Sequence, residues 1–214
     1  LTVMFTEEQG YGMYTYVLFG NPPRPAGGVE KASLERSDRL IEAIKHMTSA
    51  IAGNAGVDQK ASHLFLIPLK SAAKDPTQHG FNTELSMQYL SFASDMLAAS
   101  APLLSRRLTI GEGPFLITVP QPIKNAEKQG TIVLYADLTF IDPSRMVEIV
   151  KAYGEVLDKG IHTLSTFGAL RSALMDVIPN PDNHLKIVVA TRGDSDGVAR
   201  LLWKPLTAMH AEER

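Results

Sequence analysis

The chain has 214 residues, 44% hydrophobic and 21% charged, with a net charge of −2 at pH 7 and no cysteine. That is enough apolar material for one sizeable core, and the charge balance argues against a nucleic-acid partner, since phosphate-backbone binding needs clustered excess Lys and Arg. The missing thiols exclude disulfides, thiolate nucleophiles and cysteine-based metal sites. No apolar run reaches the roughly 18–20 residues that cross a bilayer, so no transmembrane segment is expected in this sequence. The sequence opens on Leu1 rather than Met. A removed secretory signal is one explanation and a trimmed N-terminus the other. With the lack of cysteine, this favours a periplasmic or secreted bacterial domain over a cytoplasmic one.

Residues 13–19 (MYTYVLF) are aromatic and β-branched, the composition of a buried strand. Tyr14 and Tyr16 share a strand face with Leu18, which core packing explains more simply than a ligand groove. Residues 21–28 hold three prolines and two glycines and form a loop, a candidate contact surface beside the aromatic strand. The spacing predicts a helix over 33–51, with Leu40, Ile41, Ile44, Met47 and Ile51 as its apolar stripe. Residues 63–69 (HLFLIPL) form a short strand whose Pro68 belongs at an edge or bulge. A polar loop follows over 71–80. A helix is expected over 83–104, with Leu85, Tyr89, Leu90, Met96 and Leu97 inward and its regular part ending near Ser100, ahead of Pro102. The segment 109–113 is a turn-rich connection. Residues 114–119 form a strand joined by a hairpin-like loop at 124–130 to a second strand at 131–141, an arrangement most simply antiparallel.

The clearest local signal lies at 142–160. Asp142 can cap the first free N–H groups of a helix, and Pro143 sits where its missing N–H costs nothing. Met146, Ile149, Val150, Tyr153, Val156 and Leu157 fall on one helix face. Gly160 is a left-handed C-cap, with Lys151 and Lys159 toward the negative end of the dipole. A second helix follows over 161–178, with Leu164, Phe167, Leu170, Leu174 and Met175 on one face. A strand occupies 185–190, a turn 192–197, and a returning strand or short helix 198–203. The polar tail 206–214 frays.

The order is β-α-β-α-β-β-α-α-β-(β). The central β-β step breaks the alternation of a doubly wound fold, so the expected class is α+β. The expectation is a single domain over 1–205 with one mixed or mostly antiparallel sheet and helices packed on one face. A flavodoxin-like parallel sheet is the alternative.

Chemical motifs are sparse. Gly193–Gly197 spells G-x-S-x-G after a strand, the pattern that exposes a serine nucleophile at a sharp turn. Its usual partners lie well downstream, yet only 17 residues follow Gly197, and His210 is the sole later histidine. A Gly/Asp-rich turn accounts for the segment more simply. The same stretch holds D-x-D-G, a fragment of a calcium loop without its downstream acid. None of the six histidines lies three or four residues from another, so no helix presents a metal-binding pair. Asp137 lies inside an apolar strand. Buried, it would need a partner or a raised pKa and would mark a functional site. Alternation groups Leu134, Ala136 and Leu138 on one side and Tyr135, Asp137 and Thr139 on the other, which turns Asp137 toward a solvated face. No glycine motif for phosphate is present, and neither a cofactor nor a metal is implied.

The candidate catalytic residues are therefore Ser195, His184 and Asp137. The sequence favours a non-catalytic protein-interaction or structural domain. The alternatives are a serine hydrolase using Ser195 with His184 or His210, and a small-molecule binder with a pocket near Tyr16 and Asp137.

Overall fold

The computed structural model describes residues 10–20, 28–51, 63–68, 82–126, 131–161 and 164–190. Along the chain lie β1 (Met13–Leu18), α1 (Gly28–Ile51), β2 (His63–Leu66), α2 (Thr83–Leu97), α3 (Pro102–Ile110) and β3 (Phe115–Val119). They are followed by the short α4 (Ile123–Ala126), β4 (Thr131–Asp137), a 3-10 turn (Pro143–Arg145), α5 (Met146–Leu157), α6 (Leu164–Val177), the short α7 (Pro181–His184) and β5 (Leu185–Ala190). The strands form one sheet in the order β2-β1-β3-β4-β5. Only β1 and β2 are parallel, and the connection between them carries α1, as a parallel pair requires a crossover. The other three pairs are antiparallel, including the expected β3–β4 pair. The class is α+β with a mixed, mostly antiparallel sheet. The last element of the expected order, at 198–203, and the tail lie outside the described residues.

The helices, however, cover both faces of the sheet rather than one. Met13, Val17, Leu116, Leu134 and Leu185 share a core with residues of α1, α5 and α6. Tyr14, Tyr16, Phe115, Ile117, Val133 and Tyr135 share a second core with residues of α2 and α3. The reason is visible in the central strands: all residues of β1 and β3 are buried, so both faces exclude water. The tyrosine face of β1 is core, as expected. The Tyr16 hydroxyl accepts a hydrogen bond from the Ile123 N–H at 2.8 Å, which ties down the start of α4.

Local signals set most element ends. Asp142 accepts hydrogen bonds from the Ser144 N–H at 2.8 Å and the Ser144 hydroxyl at 2.6 Å, and the 3-10 turn it caps leads into α5. Met146, Ile149, Val150, Tyr153 and Val156 are buried as the spacing predicts, and Gly160 is left-handed with φ 92°. In α6 the inward face is Thr166, Phe167, Leu170 and Leu174, whereas Leu164 and Met175 are exposed. The helix expected over 83–104 is two helices. The first ends at Leu97, Ala101 is the N-cap of the second, and Pro102 opens α3 at a position that needs no N–H.

Two glycines mark the extremes, one where backbone meets backbone and one where nothing meets it. A Cβ on Gly20 would stand 2.0 Å from the Gly111 carbonyl oxygen. The approach is that close because the Gly20 N–H donates to the Glu112 carbonyl at 2.9 Å. A Cβ on Gly168, in the exposed middle of α6, would have nothing within 4 Å. Gly20→Ala is accordingly expected to cost about 3 kcal/mol or more, and Gly168→Ala to stabilise by about 0.5–1 kcal/mol. Urea unfolding midpoints of the two variants check both signs.

Candidate functional site

Alternation correctly places Tyr135, Asp137 and Thr139 on one side of β4, but that side is covered, and Asp137 is fully buried rather than solvent-facing. The cover is hidden in the sequence because α3 straddles the end of the helix expected over 83–104 and the start of the connection expected at 109–113. Arg107 of α3 reaches down, and its Nε donates to Asp137 Oδ2 at 2.7 Å. The other carboxylate oxygen accepts from the Thr139 N–H at 3.0 Å and from its hydroxyl at 2.5 Å. Thr139 Oγ1 in turn accepts from the Gly113 N–H at 3.1 Å. The hydrogen bond to Asp137 raises the Arg107 pKa above its ordinary value. The Tyr135 hydroxyl lies in the field of both charges, buried, without a hydrogen bond of acceptable geometry. Burial, foremost, raises its pKa.

The three sequence candidates are brought together only in part. Ala136 pairs with Leu185, so the register sets His184 beside Asp137 at the same end of the sheet. His184 closes α7, and its Nδ1 is buried with no hydrogen-bond partner. Asp137 makes its bonds elsewhere, to Arg107 and Thr139. Ser195 and His210 lie outside the described residues. Among the described residues no group of three or more His, Asp or Glu is placed to hold a metal ion, and no helix is long and apolar enough to cross a membrane.

A second polar system, on the opposite face, went unread in the sequence. His63 Nε2 lies 2.8 Å from Thr15 Oγ1, which lies 2.7 Å from Thr118 Oγ1, which lies 3.0 Å from the Tyr153 hydroxyl. The row crosses β2, β1 and β3 and ends on α5. Its signal was a threonine inside each of two apolar strands, MYTYVL and FLITV. Burial keeps His63 neutral, with its pKa lowered to about 3, and pushes the Tyr153 hydroxyl up to about 12. Phe65 packs edge-on against the His63 ring at 4.3 Å. Such a chain exchanges no charge at neutral pH. It satisfies buried polar groups and fixes the register of three strands.

The described surface also holds an open groove of about 720 Å³ between α1 and α5. Ala43, Met47, Val147, Val150 and Gly154 form its floor, and Arg39, Glu42, His46, Lys151, Glu155 and Asp158 its rim. Arg39 is paired with Glu35 at 3.1 Å and Lys151 with Glu155 at 3.7 Å. Glu42 and Asp158 have no ion-pair partner among the described residues, so the groove carries uncompensated negative charge.

The chain matches no protein-family model, no curated protein and no solved structure.

A pH test follows from His63. Its folded pKa lies below the ordinary 6.5, so the unfolded chain takes the proton first. The stability from neutral His63 is complete above about pH 6.5 and declines as pH falls toward 3. Between about pH 7.5 and about pH 5 the parent protein should lose about 1–2 kcal/mol more than His63→Gln in urea unfolding. Parallel losses would show that His63 is not held neutral.

Asp137→Ala should cost about 3 kcal/mol, because it strands Arg107, the Thr139 hydroxyl and a buried N–H together. A fall of roughly 6–12 °C in Tm by calorimetry would register it.

Proposed function

We propose that this chain is a non-catalytic protein-interaction domain and that the groove between α1 and α5 is its contact surface. The groove itself carries the reading: an apolar floor, open to solvent, rimmed by charge that is negative once the internal ion pairs are discounted. A fitting occupant is a partner helix with apolar residues at i, i+3 and i+4 and Lys or Arg beside them. Such a helix lays its apolar edge on Val147, Val150 and Met47 and brings its cations to Glu42 and Asp158. Complementary rim charge of this kind sets specificity and on-rate more than raw affinity.

The serine-hydrolase reading draws no support from Asp137. An acid that orients a catalytic histidine needs a free oxygen, and both oxygens here are held by Arg107 and Thr139. The small-molecule reading near Tyr16 and Asp137 meets the same obstacle, since the Tyr16 hydroxyl is taken by the Ile123 N–H.

Selection from a displayed library of random helical peptides tests the proposal. Binders should carry Lys or Arg flanking apolar residues, and the double variant Glu42→Lys, Asp158→Lys should weaken them about tenfold or more. A library that returns no binder sensitive to these substitutions overturns the groove. Labelling of Ser195 by a fluorophosphonate in the folded protein overturns the non-catalytic reading.

A further inference from the structure

Leu103, Arg107 and Ile110 fall at i, i+4 and i+7 of α3 and so form one stripe. Leu103 is 82% exposed and Ile110 64%. Phe140, in the turn after β4, is 74% exposed. That turn is tied to the end of α3 twice, by Arg107 on Asp137 and by the Gly113 N–H on Thr139. Single apolar residues on a surface need no explanation, but here two share a helix stripe with one fixed cation and a third lies in the turn that follows that cation's partner.

The cation is fixed by its own buried partner. The Arg107 side chain is 44% exposed and the Asp137 side chain 1%. The pair therefore has one end in the core and the other at the surface. Nε makes the bond to Asp137, and the terminal amines make no ion pair among the described residues. A guanidinium normally loses rotamer freedom when it binds. Here much of that loss was incurred on folding, which is the condition for a preorganised anchor.

We propose that this face binds a partner segment presenting a single carboxylate among apolar side chains, with the exposed end of the Arg107 guanidinium receiving the carboxylate and Leu103, Ile110 and Phe140 flanking it. The surface is separate from the groove between α1 and α5. Charge and shape select the occupant. No acid lies on α3 to compete for the amines. Asp137 offsets the Arg107 charge, so only Arg106 adds a long-range positive field. An anionic membrane is drawn by clusters of four to eight cations, and this face does not supply them. Recognition must be short-range, a paired hydrogen bond strengthened as apolar contacts exclude water.

The test uses two capped pentapeptides, one with a central glutamate flanked by leucine and phenylalanine, the other with glutamine in its place. Binding is followed by amide chemical shifts of the whole chain. The glutamate peptide should shift Leu103, Arg107, Ile110 and Phe140 saturably, and the glutamine peptide should bind about tenfold more weakly. Arg107→Lys keeps a cation beside Asp137 but loses the fork, and should also cost about tenfold. Leu103→Ser with Ile110→Ser, both at exposed positions, should weaken binding without lowering Tm. The groove variant Glu42→Lys, Asp158→Lys should bind the glutamate peptide unchanged. Equal binding of the two peptides, no binding of either, or indifference to Arg107→Lys overturns the inference. Shifts confined to Val147 and Val150 overturn it while leaving the groove reading in place.

Discussion

Burying a carboxylate costs several kcal/mol unless hydrogen bonds and charge offset the lost water. Asp137 meets that requirement with three bonds, two from Thr139 and one from Arg107, and the two donors lie on different pieces of chain. The bonds from Thr139 end β4 by bending the backbone into the turn that follows. The bond from Arg107 holds α3 against the sheet. Through Thr139 the same cluster grips Gly113, and with it the connection between α3 and β3. Nearby, the Ser86 hydroxyl accepts from the Phe19 N–H at 2.7 Å and donates to the Phe19 carbonyl at 2.8 Å, which latches α2 to the end of β1. One end of the sheet is thus assembled by polar groups that would be liabilities if any partner were missing.

The opposite face is organised differently. There the Thr15–Thr118 row is neutral, and its members satisfy one another without ionisation. Its contribution is positional. A slip of β3 against β1 by one residue would carry the Thr118 hydroxyl into the wrong core and part it from Thr15. The two polar systems together explain how a sheet buried on both faces keeps one register. Of the surface features that suit partners, the acid-rimmed groove stands outside both, whereas the stripe on α3 shares Arg107 with the Asp137 cluster.

Legibility in the sequence followed the range of the physics. Asp142, Pro143 and Gly160 act within a few residues, and the helix they bound was readable to its ends. Strand β5 was readable too, since LKIVVA is apolar but for Lys186 and bounded by breakers. What failed was cover. Alternation in β4 showed which residues share a face with Asp137, but no local signal shows whether a helix lies over that face. The helix that does, PLLSRRLTI, is short, interrupts its apolar residues with two arginines, a serine and a threonine, and closely follows another helix, so its periodicity was lost. The site fared likewise. His63, Thr15, Thr118 and Tyr153 are separated by up to 138 positions, and only tertiary pairing makes them neighbours. Ser195 was the most motif-like residue, and the structure describes nothing around it.

The placement of β1 also bears on synthesis. Among the described residues it is the first strand in chain order, yet it lies second in the sheet, between β2 and β3. Its β2 edge is satisfied about 50 residues later in the chain, whereas its other edge waits for Phe115–Val119, about 100 residues on. During that interval the emerging chain carries an aromatic strand with one hydrogen-bonding edge open. That is the kind of surface on which nascent chains pair wrongly and on which ribosome-associated chaperones act.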